Sequence, residues 1–106
     1  LISKRYIEHA TVPRCSPDLP PHDPEGWYTH LPGRYGLGWW VNGPDADGAK
    51  MWPHAPEGTY AAQGNRNSIC FVVPAWSMAI VRLGDDQNID TDLYDQVFEI
   101  LADGVE

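Results

Sequence analysis

The chain has 106 residues, 42% of them apolar and 21% charged, with fifteen acids against seven bases and a formal charge of -8. That length holds one domain of the usual ~100 to 150 residues, and no apolar run approaches the ~18 to 20 residues of a membrane-spanning helix. The acidic balance repels phosphate backbones and anionic lipids alike, which argues against a nucleic-acid partner.

Ser3 is a suitable helix N-cap, and Tyr6, Ile7 and Ala10 fall on one face, so a short helix is predicted over residues 4–10. Eight prolines and glycines between Pro13 and Gly33 deny the backbone both helix continuity and ladder hydrogen bonds, which makes this an irregular loop. Its Trp27 and Tyr28 are bulky enough to pin it onto a neighbouring surface. Tyr35, Leu37, Trp39 and Val41 alternate with Gly36, Gly38, Trp40 and Asn42, the period of a strand over 35–41 that sends Trp39 and Trp40 to opposite faces. Residues 42–48 are turn chemistry throughout. A small-residue strand follows at 59–63 and stops at Gly64. Ile69 to Val73 and Met78 to Leu83 are β-branched and aromatic runs at hairpin spacing, expected to pair antiparallel. Asp90, Thr91 and Asp92 offer N-caps to a terminal amphipathic helix over 90–104, with Leu93, Tyr94, Val97, Phe98 and Leu101 on its apolar stripe. The whole reads as one α+β segment: a helix within 1–12, a loop at 13–34, three or four meandering strands across 35–83 and a closing helix. Two short helices cover such a sheet poorly, so an exposed apolar surface is predicted. Leu1 follows neither an initiator Met nor a signal-peptide core, and the expectation is a piece of a longer protein.

Little in the chain carries chemistry by itself. His9, His22, His30 and His54 lack the close pairing of zinc sites, and Cys15 and Cys70 form no Cys-x-x-Cys motif, although a single bridge between the two stays open. His54, between prolines, reads as a polar loop residue. Ser16, Ser68 and Ser77 have no neighbouring base at helical spacing. Arg82 is expected to end its strand in solvent or to pair with Asp85 or Asp86. What remains is Gln63, Gly64 and Asn65, where the glycine lets a ligand approach the backbone and the Asn65 N–H can point at a developing oxyanion; a simple strand end is the competing reading.

The order of four segments adds to this. Tyr35-Gly36-Leu37-Gly38-Trp39-Trp40, Tyr60-Ala61-Ala62-Gln63-Gly64, Ile69-Cys70-Phe71-Val72-Val73-Pro74 and Met78-Ala79-Ile80-Val81-Arg82-Leu83-Gly84 together resemble the C-terminal part of the class C β-lactamase-like serine hydrolases. That family includes DD-peptidases, esterases and amide hydrolases related to the penicillin-binding proteins. The resemblance implies half of a β-lactamase/transpeptidase-like sheet. Ala62-Gln63-Gly64 then stands in the place of Lys-Thr-Gly, Gly64 keeps the backbone open to substrate, and the Asn65 amide is one of two oxyanion donors. Gln63 can offer a neutral hydrogen bond to an ester or amide. Ala62 and Gln63 replace the Lys and Thr, so the cation that would hold a β-lactam carboxylate is absent, and the implied substrate is a small ester, amide or peptide. The family's Ser-x-x-Lys turn and its tyrosine do not occur in residues 1–106. The implied partner is the N-terminal remainder of the same protein; no cofactor is implied, and the family leaves a periplasmic or extracellular setting open. The lost Lys-Thr pair keeps a second reading alive, a non-catalytic binding or structural relative, and an independent small acidic module is a third.

Overall fold

Ser3 opens the first helix, α1 (Lys4–Ala10), by accepting a hydrogen bond from the Tyr6 N–H at 3.2 Å. The computed structural model describes residues 2–18, 33–86, 90 and 92–105. Most of the proline-rich loop, with Trp27, Tyr28, His22 and His30, lies outside the described residues, as does Thr91. Ala10, at the end of α1, is fully buried, and its carbonyl accepts the Leu37 N–H at 2.9 Å.

That contact corrects the strand expected over 35–41. Only Trp40–Val41 is strand (β1); residues 34–41 fold as a tight hairpin in which the Val41 N–H donates to the Arg34 carbonyl and the Gly36 N–H to the Trp39 carbonyl. The reason lies in the two glycines. Gly38 turns the chain with a φ of 81°, and a Cβ on Gly36 would stand 2.1 Å from the Ala10 carbonyl oxygen. Glycine alternating with bulky side chains marks a turn and a close approach here, and only mimics the period of a strand.

Three further strands complete an antiparallel meander in the order β1-β2-β3-β4: β2 (Tyr60–Gln63), β3 (Ile69–Val73) and β4 (Met78–Arg82). The β3–β4 hairpin pairs as its spacing predicts, through a one-turn helix at Pro74–Trp76, and β4 stops one residue short of the expected Leu83. Asp45 organises the predicted turn, its Oδ1 accepting from the Asp47 and Ala49 N–H groups while Oδ2 pairs with Arg34 at 2.8 Å. Asn42 anchors the connector from that turn to β2: its side-chain amide donates to the Trp52 carbonyl and accepts from the Trp52 N–H. Cys15 and Cys70 are both free thiols.

Register sorts the side chains into two faces. Trp40, Ala61, Phe71 and Ile80 lie abreast across the four strands, and Gln63, Ile69 and Arg82 form a second row on the same side. The terminal helix α2 (Asp92–Gly104) covers this face, with Tyr94 and Phe98 edge-on to Phe71 and Trp52 wedged against both phenylalanines. The opposite face carries Val41, Tyr60, Val72 and Ala79 in one row and Ala62, Cys70 and Val81 in the next. Val41 and Tyr60 are buried, Trp39 standing edge-on to Tyr60, whereas Ala62 and Ala79 are exposed and Val81 is 61% exposed. The two tryptophans therefore separate as alternation predicts: Trp40 packs toward the α2 core and Trp39 onto the other face. The expected apolar surface is present at the β3–β4 end of that face.

Phe98 is 1% exposed and touches Trp52, Phe71 and Trp76, so Phe98→Ala opens a cavity among aromatic rings. The expected loss is about 3–5 kcal/mol, a large share of the roughly 5–15 kcal/mol typical of a single domain. Ile100→Ala, on the same helix at a side chain 72% exposed, is expected to stay within about 0.5 kcal/mol. Urea midpoints of the two variants check both.

Candidate functional site

The segment from Gln63 to Ser68 leaves the sheet at an open edge. Main-chain groups of successive strand residues face alternate neighbours. The Asn42 N–H reaches the Thr59 carbonyl on the β1 side, and the Gly64 N–H reaches the Ser68 carbonyl on the β3 side. The N–H and C=O of Gln63 therefore face the β1 side, where β1 has already ended opposite Ala61. No strand covers them among the described residues.

Gly64 has a φ of -108°, extended backbone that any residue adopts, and a Cβ there would make only ordinary contacts with Ser68 at 3.7 and 3.9 Å. Neither conformation nor internal crowding demands glycine at this position. Asn65 follows at the start of a single helical turn, Asn65–Asn67; its Oδ1 accepts from the Arg66 N–H at 2.9 Å and its carbonyl from the Ser68 N–H at 3.3 Å. Its own N–H donates to no partner among the described residues. Gln63, Gly64 and Asn65 are all exposed. Alternation sends the Ala62 methyl to the bare face and the Gln63 side chain to the α2 face, so at the edge itself Gln63 presents main chain.

The turn is strained. Arg66 and Asn67 have φ of 56° and 59°, two consecutive non-glycine residues in the left-handed region, each costing of the order of 1–3 kcal/mol unless its surroundings hold it there. Its surroundings do. The Asn67 carbonyl accepts from Arg82 Nη1 at 2.7 Å and from the Tyr94 hydroxyl at 3.2 Å, and its side-chain amide donates to the Asp86 carbonyl at 2.8 Å. Arg82 in turn forks onto both carboxylate oxygens of Asp86 at 2.9 and 2.7 Å. Asp85 pairs with Arg66. Arg82 thus pairs with a nearby acid as expected, and the bond to Asn67 adds a contact that strand reasoning does not reveal.

Beyond this corner, His54 is more than a polar loop residue. Its main-chain N–H donates to Asp95 Oδ1 at 2.8 Å, its Nδ1 lies 2.7 Å from Asp95 Oδ2, and its Nε2 lies 4.0 Å from Glu99. These contacts tie the connector that carries Trp52 to α2. No serine hydroxyl bonds to the ring among the described residues, so the His54–Asp95 pair orients no visible nucleophile. A groove of about 270 Å³ runs between β4 and α2, lined by Ile80, Arg82, Leu93, Tyr94 and Val97 above Phe71 and Phe98. No helix among the described residues is long and apolar enough to cross a membrane.

Set against protein-family models, curated proteins and solved structures, the chain matches none of them.

The hydrogen bond to Asp95 raises the His54 pKa above its ordinary 6.5; desolvation opposes it, and the charges of Asp95 and Glu99 reinforce it. A raised folded-state value makes the stabilisation complete below the unfolded value and lost as pH climbs through the folded one. Stability measured by urea midpoint is therefore expected to fall as pH rises above the ordinary histidine value of 6.5, and the His54→Gln variant to show a flatter profile there.

Proposed function

We propose that this chain is the C-terminal part of a serine hydrolase of the β-lactamase/DD-peptidase type, acting on an ester, amide or peptide. The observation that carries the reading is Gly64: a glycine with no internal need to be one, placed where β2 overruns β1 and main-chain donors face outward. A glycine of that kind serves something outside the chain, because its missing side chain lets a substrate lie against the backbone.

In this reading the N-terminal remainder of the protein supplies the attacking serine and the lysine of a Ser-x-x-Lys turn. The serine Oγ loses its proton to that lysine and attacks the carbonyl carbon. The carbonyl oxygen becomes the oxyanion and accepts the Asn65 N–H, while a second N–H comes from the remainder. The leaving alcohol or amine takes the proton, and water then cleaves the acyl-serine. Gln63 contributes through its outward main-chain groups. The remainder covers the bare rows Ala62–Cys70–Val81 and Val72–Ala79, which gives that exposed apolar face a partner. Ala62 favours a neutral substrate, since a methyl stands where the family's cation would reach over that face.

The alternative, a non-catalytic relative, draws on the same missing Lys-Thr pair. Exposing the full-length protein to a fluorophosphonate separates the two: a covalent adduct on a serine outside residues 1–106 is expected, and its absence leaves the binding reading. Gly64→Leu is expected to leave stability within about 0.5 kcal/mol, because the space beside it is open. The same variant should slow adduct formation on the order of 10²-fold by displacing the probe's reacting phosphoryl group. Labelling of that variant at the parent rate overturns the hydrolase assignment.

A further inference from the structure

Two groups from distant parts of the chain meet at the Asn67 carbonyl, Arg82 from the end of β4 and Tyr94 from α2, while the Asn67 side-chain amide reaches the loop at Asp86. None of them touches the open edge at Gly64. Tyr94 is buried, and its hydroxyl is the one polar atom it carries into an otherwise aromatic environment. The guanidinium of Arg82 lies directly over Gly84: a Cβ there would stand 2.1 Å from Arg82 Nη1 and 2.7 Å from its Cζ, so any side chain at 84 makes the guanidinium shift. The guanidinium is folded back across that glycine and locked by both oxygens of Asp86.

We infer that Arg82 and Tyr94 are positioning residues for the Asn65 N–H, acting through the left-handed Arg66–Asn67 pair. The inference rests on the proposed role of that N–H as an oxyanion donor. The geometry runs in one chain of contacts. Two donors fix the plane of the peptide that follows Asn67; with that plane fixed, φ at Asn67 and Arg66 stays positive. The turn then closes through the bonds Ser68 N–H to Asn65 carbonyl and Gly64 N–H to Ser68 carbonyl. The peptide between Gly64 and Asn65 is thereby held on both flanks, which narrows the directions open to the Asn65 N–H. A donor held without substrate present needs no reorganisation when charge develops, which is what makes such donors effective.

Tyr94→Phe deletes one hydroxyl and keeps the ring; Gly84→Ala pushes the guanidinium away, while the Gly84 main chain meets the turn only at the Ser68 hydroxyl, at 3.4 Å. Hydrogen exchange and amide chemical shifts in the intact 106-residue chain report the outcome. Each variant is expected to lower protection of the Gly64 N–H by about two- to tenfold, the worth of one net hydrogen bond. Each should shift the Asn65 amide resonance while protection along the β3–β4 ladder stays at its parent level. Adding Asn67→Gly to Tyr94→Phe supplies a residue that holds positive φ without strain and is expected to restore Gly64 protection. Unchanged Gly64 protection and an unmoved Asn65 resonance in both variants overturn the inference, as does a loss spread evenly over the ladder. These readings need no turnover, so they fail independently of the fluorophosphonate experiment: an adduct with an unmoved Asn65 resonance removes the positioning role alone, and a moved resonance without adduct removes the hydrolase alone.

Discussion

The packing of α2 on Phe71 is the constraint from which the rest of the molecule follows. A sheet of two to five residues per strand has too little ladder to stand alone, and β1 contributes only two of them. Phe98 and Tyr94 press onto the centre of β3, and Trp52 fills the angle between Phe71 and Phe98. Aromatic pairs at these edge-on angles add directional preference to the area they bury. One surface of the sheet is thereby fixed relative to the helix, and the connector from Asn42 to Ala55 is drawn in with it.

The same contact places the polar corner. Tyr94 cannot pack on Phe71 without bringing its hydroxyl to the β2–β3 turn, and Asp95, one residue on, necessarily turns toward the connector and meets His54. Two neighbouring residues of one helix thus fasten two separate segments, the β2–β3 turn and the connector at His54. Stability and site geometry are coupled through α2: an isolated slip of this helix would loosen the His54 connector and the Asn67 turn together.

Much of the scaffold was legible in the residues. Ser3 announces α1 because a hydroxyl satisfies a free N–H in the first turn, and Leu93 to Leu101 announce α2 because helical spacing gathers them on one side. The Pro74–Ser77 gap between two β-branched runs leaves antiparallel pairing as the short connection. The 35–41 stretch misled because Gly36 and Gly38 obey the period of a strand for reasons unrelated to one: a carbonyl of α1 presses on the first, and the second needs positive φ. The corner around Asn67 was legible only in part. Gln63, Gly64 and Asn65 are consecutive, and the loss of side-chain bulk after a strand draws notice to them. Arg82 and Asp86 stand four apart, which hints at their pairing. Tyr94, 27 residues beyond Asn67, and His54, 41 residues before Asp95, leave no local trace, because helix packing creates those contacts.

β4 is the last strand of the sheet among the described residues, and its outer N–H and C=O groups are bare. Ile80 and Val81 flank that ribbon on its two sides, and the single charge, Arg82, is already committed to Asp86. Natural strands of this exposure are usually guarded by lysine, proline or a bulge, and none of these interrupts Met78–Arg82. Left exposed, such a ribbon templates its own kind. The solubility conferred by a charge of -8 and the self-association invited by one unguarded strand pull in opposite directions, and salt, which screens the first and spares the second, decides between them.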